Sequence, residues 1–159
     1  MNNENGVTLL EVMSTMIIIS ILSGISVPIF QNILLRQEFN QEVRNMVNEI
    51  YNARSIAIKS NAHVVLCYSQ SGYKIFVDDG RKGGVENDWI QQANEKVLTN
   101  VTFRKHFKIA LDDSTFTGQR TRFSNRPGIK AGSIVLQGHD GQKTKVVLNV
   151  IGRVRVEKG

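Results

Sequence analysis

Near its amino terminus the chain has a run of uncharged, mostly apolar residues that follows a single carboxylate. This run limits the possible folds of the chain more than any other feature. Residues 12–30 are nineteen positions without one charged side chain, and Glu11 comes directly before them. As an α-helix this run would be about 28 Å long, which matches the hydrocarbon core of a bilayer. A carboxylate in such a helix costs about 3 kcal/mol or more unless it is paired. The pattern therefore predicts a membrane-length helix in which Glu11 has a function, with a positive charge as its partner.

Other interpretations of the same run explain less. A secretory signal peptide would have a basic start and an apolar region before its cleavage site, and residues 1–30 do not follow that arrangement. A buried helix of a soluble domain explains neither the length of the run nor Glu11 near its start. An ordinary signal anchor remains an alternative on length and composition alone.

Gly6, Val7 and Glu11 stand in the order of a known processing site, with a glycine, a cleavage point and a glutamate as fifth residue of the mature chain. This order resembles that of type IV prepilins and type II secretion pseudopilins. Pro28 falls where these proteins commonly have a helix-bending proline. The resemblance implies that prepilin peptidase removes residues 1–6 as a leader and that the new amine of Val7 is methylated.

The same resemblance implies how the mature chain is used. Glu11 would pair with the Val7 amine of a neighbouring subunit during filament assembly, and residues 7–30 would form the membrane and filament-core segment. The expected partners are other pilin or pseudopilin subunits, prepilin peptidase and the inner membrane. The chain would cross that membrane once, with its head on the periplasmic side, before it enters a pilus or pseudopilus.

The helical period continues after residue 30 but becomes one-sided. Apolar residues recur at steps of three and four, while polar and charged residues fill the opposite face. This pattern predicts an amphipathic continuation of the helix over residues 31–60, ended by Asn61, with an apolar stripe that other elements must cover. The stripe consists of Ile29, Ile33, Leu34, Phe39, Val43, Met46, Val47, Ile50 and Tyr51.

From residue 62 the period changes to two and β-branched residues become frequent, as is typical of strands. Turn-forming pairs such as Ser71-Gly72 separate the runs. The predicted strands are residues 63–68, 73–77, 96–104, 107–111, 120–124, 133–137 and 143–156. A long amino-terminal helix followed only by short strands predicts an α+β fold, in which antiparallel sheets form a head over residues 61–159 and pack on the helix.

Three further segments suggest a branch of the pilin-like proteins. The helix end at residues 52–58, the strand residues 64–67 and the carboxyl-terminal Gly152-Arg153-Val154-Arg155 resemble the GspH/FimT family of minor pilins. In the FimT group, which takes up DNA for natural transformation, a Gly-Arg-x-Arg turn contacts DNA. The GspH group belongs to the type II secretion pseudopilus. The resemblance leaves both roles open.

The charge of the chain is concentrated in its last third. Residues 101–159 carry twelve Lys and Arg against four Asp and Glu, a net +8, whereas residues 1–100 carry eight against ten, a net −2. Such asymmetry favours a polyanion as partner, bound through phosphate contacts and counterion release. Double-stranded DNA is therefore a candidate partner.

Six basic residues are candidates for that contact because they occur in pairs two positions apart. Alternate side chains of a strand point to the same face about 7 Å apart, so Arg153 and Arg155 would share one face while Val154 and Val156 face the core. A solvated strand face, or edge-strand lysines that prevent aggregation, explains the same spacing. The remaining candidates are Lys143 with Lys145 and Arg120 with Arg122.

Nothing in the sequence has the pattern of a catalytic or metal site. His63, His106 and His139 are far apart along the chain, and no phosphate loop, zinc pattern or nucleophile elbow occurs. We therefore predict a structural and binding subunit without enzyme activity, cofactor or metal.

Two remaining features have ordinary explanations. The acidic loop at residues 78–88 departs from EF-hand spacing and includes two cations, so it is expected to be an exposed turn that Trp89 anchors to the head. Cys67 is the single cysteine, which excludes an internal disulfide, and its apolar neighbours predict a buried side chain.

Overall fold

The computed structural model describes residues 7–80, 85, 88–93, 95–125 and 130–159. Within them a single long helix precedes eight strands and a short 3-10 turn at Thr117–Gln119. The elements are α1 (Leu9–Ser60), β1 (His63–Ser69), β2 (Gly72–Asp78), β3 (Val97–Thr102), β4 (Lys108–Ile109), β5 (Arg120–Phe123), β6 (Gly132–Gln137), β7 (Lys143–Leu148) and β8 (Val154–Lys158). The predicted leader, residues 1–6, lies outside the described residues.

The chain forms two compact units, one up to Glu38 and one from Phe39 to Gly159. In the first unit α1 carries its large apolar side chains exposed, among them Leu10 at 77% and Ile19 at 62%. By length and composition α1 is able to cross a membrane. The first half of the helix therefore offers an apolar surface that its own unit does not cover.

In the second unit the predicted apolar stripe of α1 is buried against strands. Phe39, Met46 and Ile50 are at most 1% exposed and belong to one hydrophobic cluster with residues of both sheets. Burying these side chains contributes roughly 25 cal/mol for each square ångström of apolar surface removed from water. The prediction that the strands cover the stripe is confirmed for Phe39, Val43, Met46 and Ile50, and Val47 is partly buried. The other stripe residues, Ile29, Ile33, Leu34 and Tyr51, are exposed.

The end of α1 agrees with the sequence prediction. The helix ends at Ser60, and Asn61 takes a left-handed φ of 49°. The amide of Ala62 then donates to the carbonyl of Ala57 at 3.3 Å, which satisfies a carbonyl of the last turn. Asparagine tolerates this conformation better than most residues.

The strands form two four-stranded sheets in the orders β3-β2-β1-β5 and β4-β6-β7-β8, and every pair is antiparallel. Alternate residues of both sheets, such as Leu66 and Ile75 in the first and Ile134 and Val146 in the second, join the cluster that covers α1. The predicted α+β fold with antiparallel sheets packed on a long helix is confirmed.

One predicted strand was wrong. Residues 143–156 form not one strand but a hairpin of β7 and β8, closed by a bond from the Asn149 amide to the Arg153 carbonyl at 3.0 Å. The turn depends on Gly152, which has a φ of +77° and donates to the Asn149 carbonyl at 2.7 Å. A residue without Cβ adopts this conformation at little cost, so Asn149 and Gly152 interrupt the Val-rich run.

Smaller boundary differences have local causes. The first hairpin turns at Gln70 and Ser71, and Gly72 is the first residue of β2. Because Gly72 has no Cβ, the carbonyl of Val101 on β3 can approach it closely. The predicted strand at residues 107–111 shortens to β4, after which the amide of Ala110 still bonds to the Val135 carbonyl at 2.8 Å.

Candidate functional site

The six basic residues selected from the sequence lie on two different sheets. Arg120 and Arg122 belong to β5, at an edge of the first sheet, whereas Lys143, Lys145 and the Gly-Arg-x-Arg turn belong to the second. Two-residue spacing in the sequence predicts which side chains share a face of one strand, but it does not predict which strands belong to the same sheet. The candidates therefore divide into two groups with different surroundings.

Three of the candidates line one groove on the outer face of the second sheet. Lys145, Arg153 and Arg155 contribute their side chains to a cleft of about 450 Å³, together with polar groups of Thr115 and Ser133. All three basic residues are exposed. We call this cleft, defined by Lys145, Arg153 and Arg155, the basic groove.

The hairpin explains why these side chains converge. Val147 of β7 is opposite Arg155 of β8, and Lys145 is opposite Glu157. Glu157 Oε1 also lies 3.7 Å from Arg155 Nη1, and both side chains are largely exposed. An exposed pair of this kind contributes little stability, so Arg155 can exchange Glu157 for another anion at low cost.

Lys143 is engaged elsewhere. Its Nζ donates to Asp113 Oδ2 at 2.8 Å, in a pair whose side chains are about half exposed. Val154 and Val156 are opposite Leu148 and Val146, which are buried in the cluster, so both valines lie on the core side of the sheet as predicted. Val154 packs against the hydrophobic cluster, but Val156 is 42% exposed because β8 is the last strand of its sheet.

The Gly-Arg turn and the end of α1 touch each other. An ideal Cβ on Gly152 would lie 2.5 Å from the guanidinium carbon of Arg54, so that guanidinium occupies the space beside the glycine. Two of the three sequence segments that suggested the branch of the pilin-like proteins therefore meet in the folded head. The turn that carries Arg153 thus lies beside the end of the helix.

Arg120 and Arg122 hold a loop. Arg120 Nη1 donates to the carbonyl of Trp89 at 3.0 Å, and the Arg122 guanidinium lies 4.8 Å from the centre of the Trp89 ring. The amide of Trp89 donates to Asp78 Oδ2 at 3.1 Å, and Asp78 is fully buried. Trp89 thus contacts the head as expected, whereas residues 81–84 and 86–87 of the predicted exposed turn lie outside the described residues. Both arginines lie outside the basic groove.

Glu11 occupies the first turn of α1. Thr8 precedes the helix, and its Oγ1 and carbonyl accept bonds from the Glu11 amide at 3.3 and 3.1 Å. Thr8 and Glu11 have the spacing of a capping box, and a carboxylate in the first turn is favoured by the helix dipole. Among the described residues no cation forms an ion pair with Glu11.

Cys67 is less buried than predicted, because it lies on the outer face of the first sheet rather than in the cluster below. Burial raises the pKa of the Cys67 thiol, while Arg120 and Lys74 act in the opposite direction. Among the described residues no group of three or more His, Cys, Asp or Glu side chains could hold a metal ion.

Comparisons with known proteins give two matching families and one similar structure. The family described as Type II transport protein GspH matches residues 42–152, and the prokaryotic N-terminal methylation motif matches residues 1–27. Among curated proteins none matches the chain. The minor pseudopilin EpsH from the Type 2 Secretion System of Vibrio cholerae is similar in structure, with a TM-score of 0.56 and 11% identity. The similarity covers 75% of this chain and 95% of EpsH, and at this identity it shows the fold.

Proposed function

Because the chain belongs to the GspH family and is a minor pilin or pseudopilin of a type II secretion system or type IV pilus, we propose that it assembles into the filament through α1. The single observation that carries this proposal is the unit up to Glu38. Its helix exposes large apolar side chains all round and has one carboxylate at its start. A soluble protein would not leave such a surface uncovered.

The proposed anchoring follows from the same surface. Residues 7–30 cross the inner membrane once and later pack in the filament core, with Pro28 bending the helix. Residues 31–60 continue the helix into the periplasm, and residues 61–159 form the head that projects there. Prepilin peptidase removes residues 1–6 by cleavage between Gly6 and Val7.

Glu11 is proposed to select the register between subunits. Its carboxylate has no cation partner among the described residues, and the free amine of Val7 on a neighbouring subunit would supply one. Within an apolar filament core an unpaired carboxylate costs far more than at the head surface. Pairing with the amine would therefore favour one axial position over all others.

The basic groove supports a second candidate function, contact with double-stranded DNA during uptake as in the FimT group. Lys145, Arg153 and Arg155 are exposed, share one cleft and would meet neighbouring phosphates without reading bases. The competing assignment is a GspH-type secretion pseudopilin in which these residues are only a solvated strand face. The two assignments differ in whether the groove binds polyanions.

Replacing both Arg153 and Arg155 by alanine is expected to abolish most DNA binding if the groove contacts phosphates. Each lost phosphate contact lowers the slope of log K against log salt by about one, so the double variant should lose about two. The measurement is a titration of the full chain in non-ionic detergent against duplex DNA at several salt concentrations.

The matched control replaces Lys105 and Lys108 by alanine. It removes the same charge from exposed positions that do not line the basic groove. Equal losses in the two double variants would mean general attraction by a basic head. The absence of salt-dependent binding by the unaltered chain would favour the secretion-type pseudopilin.

A further inference from the structure

Two histidines that are 33 positions apart in the sequence lie side by side in the head. The ring centroids of His106 and His139 are 5.6 Å apart, and the rings meet edge to face at 67°. The register of the second sheet explains this placement. Lys108 is opposite Gln137 and Ile109 is opposite Leu136, so extending the antiparallel pair by two residues sets His106 opposite His139.

The backbone on both sides of this pair is fixed. Phe107 is buried, lies 5.8 Å from the ring of Phe39 and bonds through its amide to the Arg104 carbonyl at 3.0 Å. On the other side the buried Gly138 donates to the Gln142 carbonyl at 2.9 Å. The two imidazoles are nevertheless exposed. The backbone thus fixes the distance between the two residues, while the exposed imidazole rings can rotate about their side-chain torsions.

We propose that His106 and His139 together bind a divalent transition-metal ion of the zinc type. A tetrahedral ion with Zn–N bonds of about 2.0–2.1 Å would place two ligating imidazole centroids about 5 Å apart, close to the observed separation. The site thus requires rotation of exposed side chains and only a small approach of the two loops. A bound ion would tie the segment that joins the two sheets to the turn between β6 and β7.

The surroundings decide which ions fit. The pair lines a cleft of about 300 Å³ that also contains Lys105 and Lys108, whose charges oppose any cation. Ca²⁺ and Mg²⁺ prefer carboxylate and carbonyl oxygens, so they gain nothing here to offset that repulsion. Zn²⁺, Ni²⁺ and Cu²⁺ gain strong bonds to imidazole. Among the described residues no third His, Cys, Asp or Glu joins the pair as a ligand. Water molecules would therefore occupy the remaining coordination positions of the ion, and the ion would be exchangeable.

The test is a calorimetric titration of ZnCl₂ into the full chain in non-ionic detergent and a non-chelating buffer. The unaltered chain is expected to bind one Zn²⁺, and His106→Gln and His139→Gln are each expected to weaken that binding tenfold or more. His63→Gln and Cys67→Ser are the matched controls, because each removes a possible ligand elsewhere in the head, and both should bind as the unaltered chain does.

Several outcomes would overturn the proposal. These are the absence of saturable binding to the unaltered chain, binding that survives both His106→Gln and His139→Gln, or binding that is lost in His63→Gln or Cys67→Ser instead. CaCl₂ titrated in parallel should show no difference between the unaltered chain and the two histidine variants. Circular dichroism of each variant without metal confirms that a loss of binding is not a loss of folding.

Discussion

Replacing Glu11 with valine is expected to leave the chain in the membrane and cleaved after Gly6, but to remove it from filaments. The valine side chain extends the apolar surface, so insertion is not impaired, whereas the Val7 amine of the neighbouring subunit would lose the carboxylate with which we propose it pairs. Leaving one member of a buried ion pair without its partner costs about 3–5 kcal/mol, which is more than a hundredfold in an association constant. Immunoblots of membrane and sheared-filament fractions measure both parts of the expectation.

The position of Glu11 in the first helical turn provides a sharper control. In a capping box the third residue of the helix is either glutamate or glutamine, and glutamine has no charge. Glu11→Gln therefore keeps the capping-box spacing and removes the charge. The lost interaction with the helix dipole is about 0.3–1 kcal/mol, well below the loss expected from the missing pairing. Failure of both variants to enter filaments supports pairing between subunits. Normal incorporation of Glu11→Val would contradict it, and normal incorporation of Glu11→Gln alone would assign Glu11 to capping.

Replacing Phe39 with alanine is expected to lower the free energy of unfolding of the head by about 3–5 kcal/mol. Phe39 is 1% exposed, is the first residue of the second unit and packs its ring 5.8 Å from that of Phe107. Its removal leaves a cavity where the helix meets the second sheet. Trp89, the only tryptophan of the chain, lies on the head and reports unfolding in urea by its fluorescence.

Phe30→Ala is the matched control for this prediction. It makes the same chemical change on the same helix, but at a side chain that is 61% exposed in the first unit. Its urea midpoint, monitored at Trp89, should equal that of the unaltered chain. Equal shifts in the two variants, or a shift below about 1 kcal/mol for Phe39→Ala, would contradict the packing described for the head.

Local sequence signals were sufficient for the architecture. The helical period predicted the residues of α1 that are buried in the head, from Phe39 to Ile50, and Asn61 correctly marked the end of the helix. The alternation of strand residues predicted each of the eight strands in the described part of the chain, except that β7 and β8 were merged. The turn at Gly152 was not predicted because Val-rich sequence lies on both sides of it. Hydrophobic periodicity does not indicate a left-handed backbone conformation such as that of Gly152.

The arrangement of the candidate sites depended on contacts that no local pattern specifies. Two-residue spacing correctly paired Arg153 with Arg155, but it could not show that Arg120 and Arg122 hold Trp89 on the other sheet. The three histidines are far apart along the chain, yet the rings of His106 and His139 lie side by side in the head. Only the register between β4 and β6 brings them together, and that register is set by long-range packing.

The mass of this chain, recovered from purified filaments, shows whether the chain is a processed filament subunit. Filament incorporation after processing predicts a chain that begins at Val7 and carries one methyl group on its amine, enriched in filaments relative to the membrane. Recovery of a chain that still contains residues 1–6, or its absence from filaments while it accumulates in the membrane, would contradict the proposed role.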